Sequence, residues 1–291
     1  MIRLFALTLV AVLAAQAPKQ PLLVSPSWLA GHLPDRNLVL LHVGERAGYE
    51  AGHIPGAQFL APTLEWSTPR VEGQLTLELP DLAVLDSALE ARGISDDSHI
   101  VLYAADGFYT PTSRALFTLE YIGLGGRVSI LDGGLPAWKG EGRTLSTDVP
   151  APTRGRLTPR PDRSILVDAS FVAAHLSDSS VRVIDARDTS FYHGRETRQG
   201  RNGHIAGAAS FPFQTVMDSA GRFLPVSELK AKFTAAGAAE GHTIVTYCHI
   251  GQQASLVWFA ARLSGFTARL YDGSFQDWAR RTELPVEGRR P

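Results

Sequence analysis

Cysteine is almost missing: Cys248 is the only one in 291 residues. An internal disulfide and a cysteine-rich zinc site are thereby excluded. Neither sign of charge is in excess, since 28 Lys and Arg face 29 Asp and Glu for a net charge of −1. There is no long basic run, so the footprint of a nucleic-acid binder is absent. No apolar run reaches the roughly 20 residues that a spanning helix needs. Apolar residues make up 44% and charged residues 20%, ordinary globular values that exclude wholesale disorder, collagen and coiled coil. A prior of one domain per ~150 residues gives two domains.

The longest apolar run, residues 4–15, follows the positive charge of Met1-Ile2-Arg3 and leads into Ala15-Gln16-Ala17. This pattern predicts a secretory signal peptide over residues 1–17. Cleavage falls after Ala17 or, because Pro18 would flank that cut, after Ala14 or Ala15. The alternative is a buried N-terminal helix. A cleaved chain is exported, periplasmic or secreted, and keeps no membrane span. In an oxidising compartment a lone cysteine reads as a free reactive thiol or an intermolecular partner.

An internal repeat organises the chain. Leu38-Val39-Leu40-Leu41-His42-Val43 pairs with Val181-Arg182-Val183-Ile184-Asp185-Ala186. Gly52-His53-Ile54-Pro55-Gly56-Ala57 pairs with Gly203-His204-Ile205-Ala206-Gly207-Ala208. Asp132-Gly133-Gly134 and Trp138 pair with Asp272-Gly273-Ser274 and Trp278. The order is the same in both halves, so the chain is two copies of one domain, residues 18–140 and 165–291. Between them, residues 141–164 carry Pro150, Pro152, Pro159 and Pro161, a density that favours an extended, semi-rigid linker. Within each copy strands alternate with helices. In the second, strands are expected at 182–185, 243–247 and 267–271, with helices at 226–236 and 254–263. That alternation implies an α/β fold with a mostly parallel sheet covered on both faces. Ligands in such folds sit beyond the carboxyl ends of the strands.

Cys248 stands at one of those ends. After Val245-Thr246-Tyr247 come Cys248, His249, Ile250, Gly251, Gln252 and Gln253, a six-residue turn before the helix. A tight loop running into a helix N-terminus turns several backbone N–H groups inward, a nest for an anion. The helix dipole adds partial positive charge, so the Cys248 pKa is expected to be depressed. The alternative is a small, inert core cysteine. His249 either adds positive charge beside the sulfur or faces solvent. His53 and His204 read as turn residues bonded to backbone, with a catalytic role for His53 as the alternative. Arg187 reads as an ion-pair partner at a strand end, or else as a substrate ligand. No histidine spacing suggests a metal.

These stretches, in order and twice, resemble the rhodanese homology domain, and the tandem arrangement resembles thiosulfate and 3-mercaptopyruvate sulfurtransferases. The resemblance covers roughly residues 24–286. It implies two five-stranded parallel sheets flanked by helices, a catalytic cysteine in the second copy only, no cofactor, and a sulfane sulfur passed through a Cys248 persulfide. Ala104 holds the place of Cys248 in the first copy, and Ala105-Asp106-Gly107-Phe108-Tyr109 does not read as a matching loop. The partners implied are a small sulfur donor and a thiophilic acceptor: cyanide, a thiol or a protein. The chain departs from the family at several points. Thiosulfate-specific members place basic residues where His249 and Ile250 stand, and mercaptopyruvate-specific members place glycine and serine there. Phe191 replaces a usual arginine, and Gln252-Gln253 replaces a usual Val-Thr. Arg198 resembles an arginine that grips the mercaptopyruvate carboxylate. These departures leave a non-catalytic sulfur carrier as the second reading. A phosphatase would need an arginine where Ala254 stands.

Overall fold

The structure is a computed structural model that describes residues 20–62 and 67–288. The signal peptide expected over residues 1–17 lies outside the described residues.

The first half runs β1 (Leu23–Val24), α1 (Pro26–His32), β2 (Leu38–Val43), α2 (Arg46–Ala51), β3 (Gln58–Leu60), α3 (Leu82–Glu90), β4 (His99–Ala104), α4 (Tyr109–Leu119), β5 (Val128–Leu131) and α5 (Gly134–Gly140). The second runs β6 (Leu166–Val167), α6 (Ala169–Ala174), β7 (Val181–Asp185), α7 (Thr189–Tyr192), β8 (His204–Ile205), β9 (Ala209–Ser210), α8 (Val226–Ala235), β10 (Thr243–Tyr247), α9 (Gln252–Leu263), β11 (Thr267–Tyr271), α10 (Ser274–Arg280) and β12 (Val286–Glu287). Each half holds one five-stranded parallel sheet flanked by helices. The strand orders, β1-β5-β4-β2-β3 and β6-β11-β10-β7-β9, are the same topology twice. A short antiparallel pair, β8 with β12, is added in the second half.

The central strands are mostly apolar because both of their faces are covered. All six residues of β4 are buried. Helices α4 and α9 pack against each other as well as on their own sheets. Every residue of α4 is buried, as is the 254–261 stretch of α9. A helix buried all round belongs in an interior, and here that interior is the seam between the halves, where even Thr112, Ser113 and Arg114 of α4 are covered. The Phe117 and Trp258 rings meet edge to face across it, centroids 5.0 Å apart. One core cluster contains both.

The repeated Gly-His-Ile stretch does the same structural work in each half. His53 stacks on Tyr49 and bonds its carbonyl through Nδ1 at 2.8 Å. His204 stacks on Tyr192 and does likewise at 2.8 Å. The following N–H donates to a buried tyrosine hydroxyl, Ile54 to Tyr103 and Ile205 to Tyr247. His53 Nε2 lies 3.0 Å from the Asp148 carbonyl, so both its ring nitrogens are engaged with backbone.

The halves also reach across to each other reciprocally. Asp132, just after β5, accepts the Phe223 N–H at 3.0 Å. Asp272, just after β11, accepts the Leu79 N–H at 3.0 Å. In both cases the donor lies between the other half's third sheet strand and its next helix. The proline-rich connection follows the first half, with Gly155 N–H on the Glu90 carbonyl and Arg160 N–H on that of Ile122.

Candidate active site

Strand β10 delivers Cys248 to the carboxyl edge of the second sheet, and α9 starts at Gln252. The helix begins earlier than the spacing predicts, so Gln252 and Gln253 form its first turn. Gly251 has φ 81, a conformation that favours glycine. A Cβ there would lie 2.8 Å from Asp272 Oδ1 and 3.0 Å from the Asp272 carbonyl. The loop therefore needs glycine for both its turn and its footing.

Cys248 is completely buried. Burial pushes its thiol up, while the N–H groups of Ile250, Ala254, Gln253 and Gly251 bond to the sulfur and pull the other way. The nest foreseen in the sequence exists, but the depressed pKa does not. Sealing the sulfur from water costs its charged form more than the N–H groups return.

His249 overturns both of its sequence readings, since it is neither a cation nor solvent-facing. It is buried with its ring edge-on to Phe191, centroids 4.5 Å apart. Burial, with the nearby charges of Arg187 and Arg198, lowers its pKa to about 4. Ile250 adds no charge either. Arg187 is buried, gives Nε and Nη2 to the Asp185 carboxylate, and gives Nη2 again to the Gly203 carbonyl at 2.8 Å. Its guanidinium ties the end of β7 in place. Arg198 is exposed and lies over the Phe191 ring, 5.2 Å from its centroid. Among the described residues no group of three or more His, Cys, Asp or Glu is placed to hold a metal.

His42 and His99 share the state of His249, buried and lowered to about 4, chiefly by burial. The unfolded value is near 6.5. The unfolded chain therefore takes up more protons between about pH 6.5 and 4, and stability falls as pH drops through that window. Glu78 acts in the opposite sense, because burial and the Asp272 carboxylate push it up to about 8, but it is one group against three. The melting temperature is expected to be lower at pH 5 than at pH 7 by several degrees. A flat profile over that range contradicts these assignments.

The mouth of the site is a cleft of about 520 Å³ between the halves. Arg70, Glu72 and Thr76 line it from the first half, and Arg198, His249, Ile250, Gln276 and Arg280 from the second. Cys248 lies behind the wall made by His249 and Ile250. A larger cavity of about 720 Å³, around Tyr49 and Phe59, touches no residue of the cysteine loop. The first-half segment over the cleft is held from below. Gln276 takes the Thr76 N–H and returns its own amide N–H to Thr76 Oγ1. Arg280 donates to the carbonyls of Gly73 and Gln74. Beneath Gly251 lies a buried ion pair of Arg114, from α4, with Asp272. Arg114 also donates to the Leu77 carbonyl.

Sequence reasoning missed Arg70, Arg114, Gln276 and Arg280, none of which lies in a repeated stretch. Asp272 and Ser274 do lie in one. Their signal was the Asp-Gly-Gly to Asp-Gly-Ser change between the copies.

The first half carries a relic of the same loop. Gly107 has φ 81, the value of Gly251. The likeness stops at that glycine, because α4 starts at Tyr109, five residues after Ala104, whereas α9 starts at Gln252, four residues after Cys248. The chemistry of the relic does not match either. Ala104 has no nucleophile, and Asp106 turns its own carboxylate onto the Phe108 N–H at 2.9 Å.

Comparison with known proteins agrees with this geometry. A family profile described as Rhodanese-like domain matches residues 25–141 and 168–281. A probable 3-mercaptopyruvate sulfurtransferase of Pseudomonas aeruginosa is 36% identical over 244 residues, covering 82% of this chain and 85% of the relative. The sulfur carrier protein TtuD of Thermus thermophilus is 32% identical over 279 residues, covering 91% and 95%. A thiosulfate sulfurtransferase of P. aeruginosa is 28% identical over 269 residues, covering 92% and 97%. Among solved structures, an anaerobic ergothioneine biosynthesis enzyme from Chlorobium limicola superposes with a TM-score of 0.81 at 24% identity. That match covers 93% of this chain and 71% of the other, and it speaks to the fold.

Proposed function

The chain belongs to the rhodanese-like family and is a tandem-domain sulfurtransferase, and on that premise we propose that Cys248 alone carries the sulfur, as a persulfide. The observation that carries this reading is the set of four N–H groups on the sulfur of the only cysteine. The Cys248 thiolate attacks the outer sulfur of thiosulfate. A new S–S bond forms, the old one breaks, and sulfite leaves with the bonding electron pair. An acceptor nucleophile, cyanide or a thiolate, then attacks the outer persulfide sulfur. It takes that sulfur and returns the thiolate of Cys248. Negative charge sits on the inner sulfur before the first step and after the second, and on the outer sulfur of the persulfide between them; fixed N–H dipoles in a dry site stabilise it without reorganisation. A persulfide adds about 2 Å of reach from a cysteine that is itself buried.

Donor recognition falls to the cleft, since the neutral His249 and Ile250 offer a dianion no charge. Three cations line it: Arg198, Arg70 and Arg280, the last with its guanidinium already bonded to the Gly73 and Gln74 carbonyls. For an exposed charge the gain is at most about 1 kcal/mol. Arg198→Ala is therefore expected to raise the donor KM about three- to fivefold, with kcat nearly unchanged. Steady-state kinetics with thiosulfate and 3-mercaptopyruvate check this, and identical KM values with every donor would place the contact elsewhere.

The same absence of charge in the loop favours, as second reading, a carrier that hands its sulfur to a protein. Turnover decides between the two: a carrier takes up one sulfur and releases none to cyanide or a small thiol. Export to the periplasm or medium is part of the proposal. It is supported by the charged start and apolar run of residues 1–17, and fractionation of cells expressing the full chain tests it. Among the described residues no helix is long and apolar enough to cross a membrane.

A further inference from the structure

Two non-glycine residues among those described adopt a left-handed backbone, Leu77 and Ser274, the latter with φ 50. The equivalent of Ser274 in the inactive half is Gly134, with φ 54. Glycine accepts that conformation freely, whereas an L-residue is disfavoured in it. The half that carries the chemistry therefore holds the costlier residue.

Its hydroxyl shows why. Ser274 is fully buried, and its Oγ accepts the N–H of Cys248 at 3.1 Å and donates to the Tyr271 carbonyl at 2.9 Å. The next two N–H groups, of Phe275 and Gln276, donate to the carbonyls of Cys248 and His249, each at 3.0 Å. Both backbone groups of the nucleophile are thus tied to the start of α10. With the carbonyls drawn that way, the N–H groups of Ile250, Gly251, Gln253 and Ala254 are left to converge on the sulfur.

We propose that Ser274 is a positioning residue for the sulfur chemistry: its hydroxyl fixes the peptide of Cys248 so that the loop's N–H groups aim at the sulfur. This rests on the reading of Cys248 as the residue that carries sulfur. In the inactive half both members of the pair are missing together, the sulfur at Ala104 and the hydroxyl at Gly134.

The test compares Ser274→Gly and Ser274→Ala with wild type in the full-length protein. Alkylation of Cys248 by iodoacetamide, followed by mass against pH, is unambiguous because there is no other cysteine. Ser274→Gly accepts the backbone conformation freely and removes the hydroxyl with its Cβ, whereas Ser274→Ala removes the hydroxyl alone. The alkylation midpoint of Ser274→Gly is expected to rise by about half to one pH unit. The alkylation rate at neutral pH and kcat should each fall about three- to tenfold. The donor KM should be little changed, and the melting temperature should stay nearer to that of wild type than in Ser274→Ala, because relieved strain offsets part of the two bonds lost. Ser274→Ala should show the same chemical defect with a lower melting temperature. An alkylation profile and kcat of Ser274→Gly that coincide with wild type overturn the proposal. If wild type forms no persulfide, the functional reading fails, and the alkylation profiles still decide the role of Ser274.

Discussion

Cys248→Ser is expected to lower sulfur transfer by about a thousandfold or more, with the fold intact. Serine fits the buried site, and its smaller oxygen can accept the same N–H groups. What is lost is a polarizable nucleophile able to form an S–S bond. The hydroxyl is also far harder to ionise than a thiol, and burial already raises the cost of charge at this position. With no second cysteine in the chain, nothing stands in. Thiocyanate production from thiosulfate and cyanide measures the first point, and a melting temperature within a few degrees of wild type the second. Ordinary turnover in this variant would remove Cys248 from the mechanism.

Arg114→Leu is expected to give the largest loss of stability, about 3–5 kcal/mol. At the usual relation between free energy and melting temperature this is a fall of roughly 10 °C. Arg114 and Asp272 are both buried and belong to different halves. Removing the cation leaves a carboxylate in the interior with the Leu79 N–H as its remaining bond, next to Glu78. Gly251 rests directly on this pair, so activity should fall along with stability. Replacing both partners by apolar residues should recover part of the stability, because no buried charge is then left unpaired. Thermal unfolding of the single and double variants checks this. An Arg114→Leu variant as stable as wild type would show that the pair does not join the halves.

Much of the fold is legible in the chain because the repeat is written in local pattern. The alternation of apolar strands and amphipathic segments locates β10 at 243–247 and β11 at 267–271, as observed. The position of Cys248 at a strand end, followed by Gly251, reveals the nest. The charge state of the nest is not legible, because it depends on how completely α9, α10 and the first half exclude water from the sulfur. His249 is similar: its neighbours in sequence do not say that Phe191 and two arginines will surround it. Arg114 and Asp272 are far apart in the chain, and their pairing follows from the α4–α9 seam. Ser274 is the instructive case. Comparing the copies shows a glycine turned into serine, but only its bond to the Cys248 N–H tells why.

The most direct measurement is the intact mass of the protein after brief exposure to excess thiosulfate and removal of the donor. The account predicts a gain of one sulfur atom in wild type, lost again as thiocyanate on adding cyanide, and no gain in Cys248→Ser. Turnover by wild type without any such mass increase, or a sulfur-bearing Cys248→Ser, would contradict it.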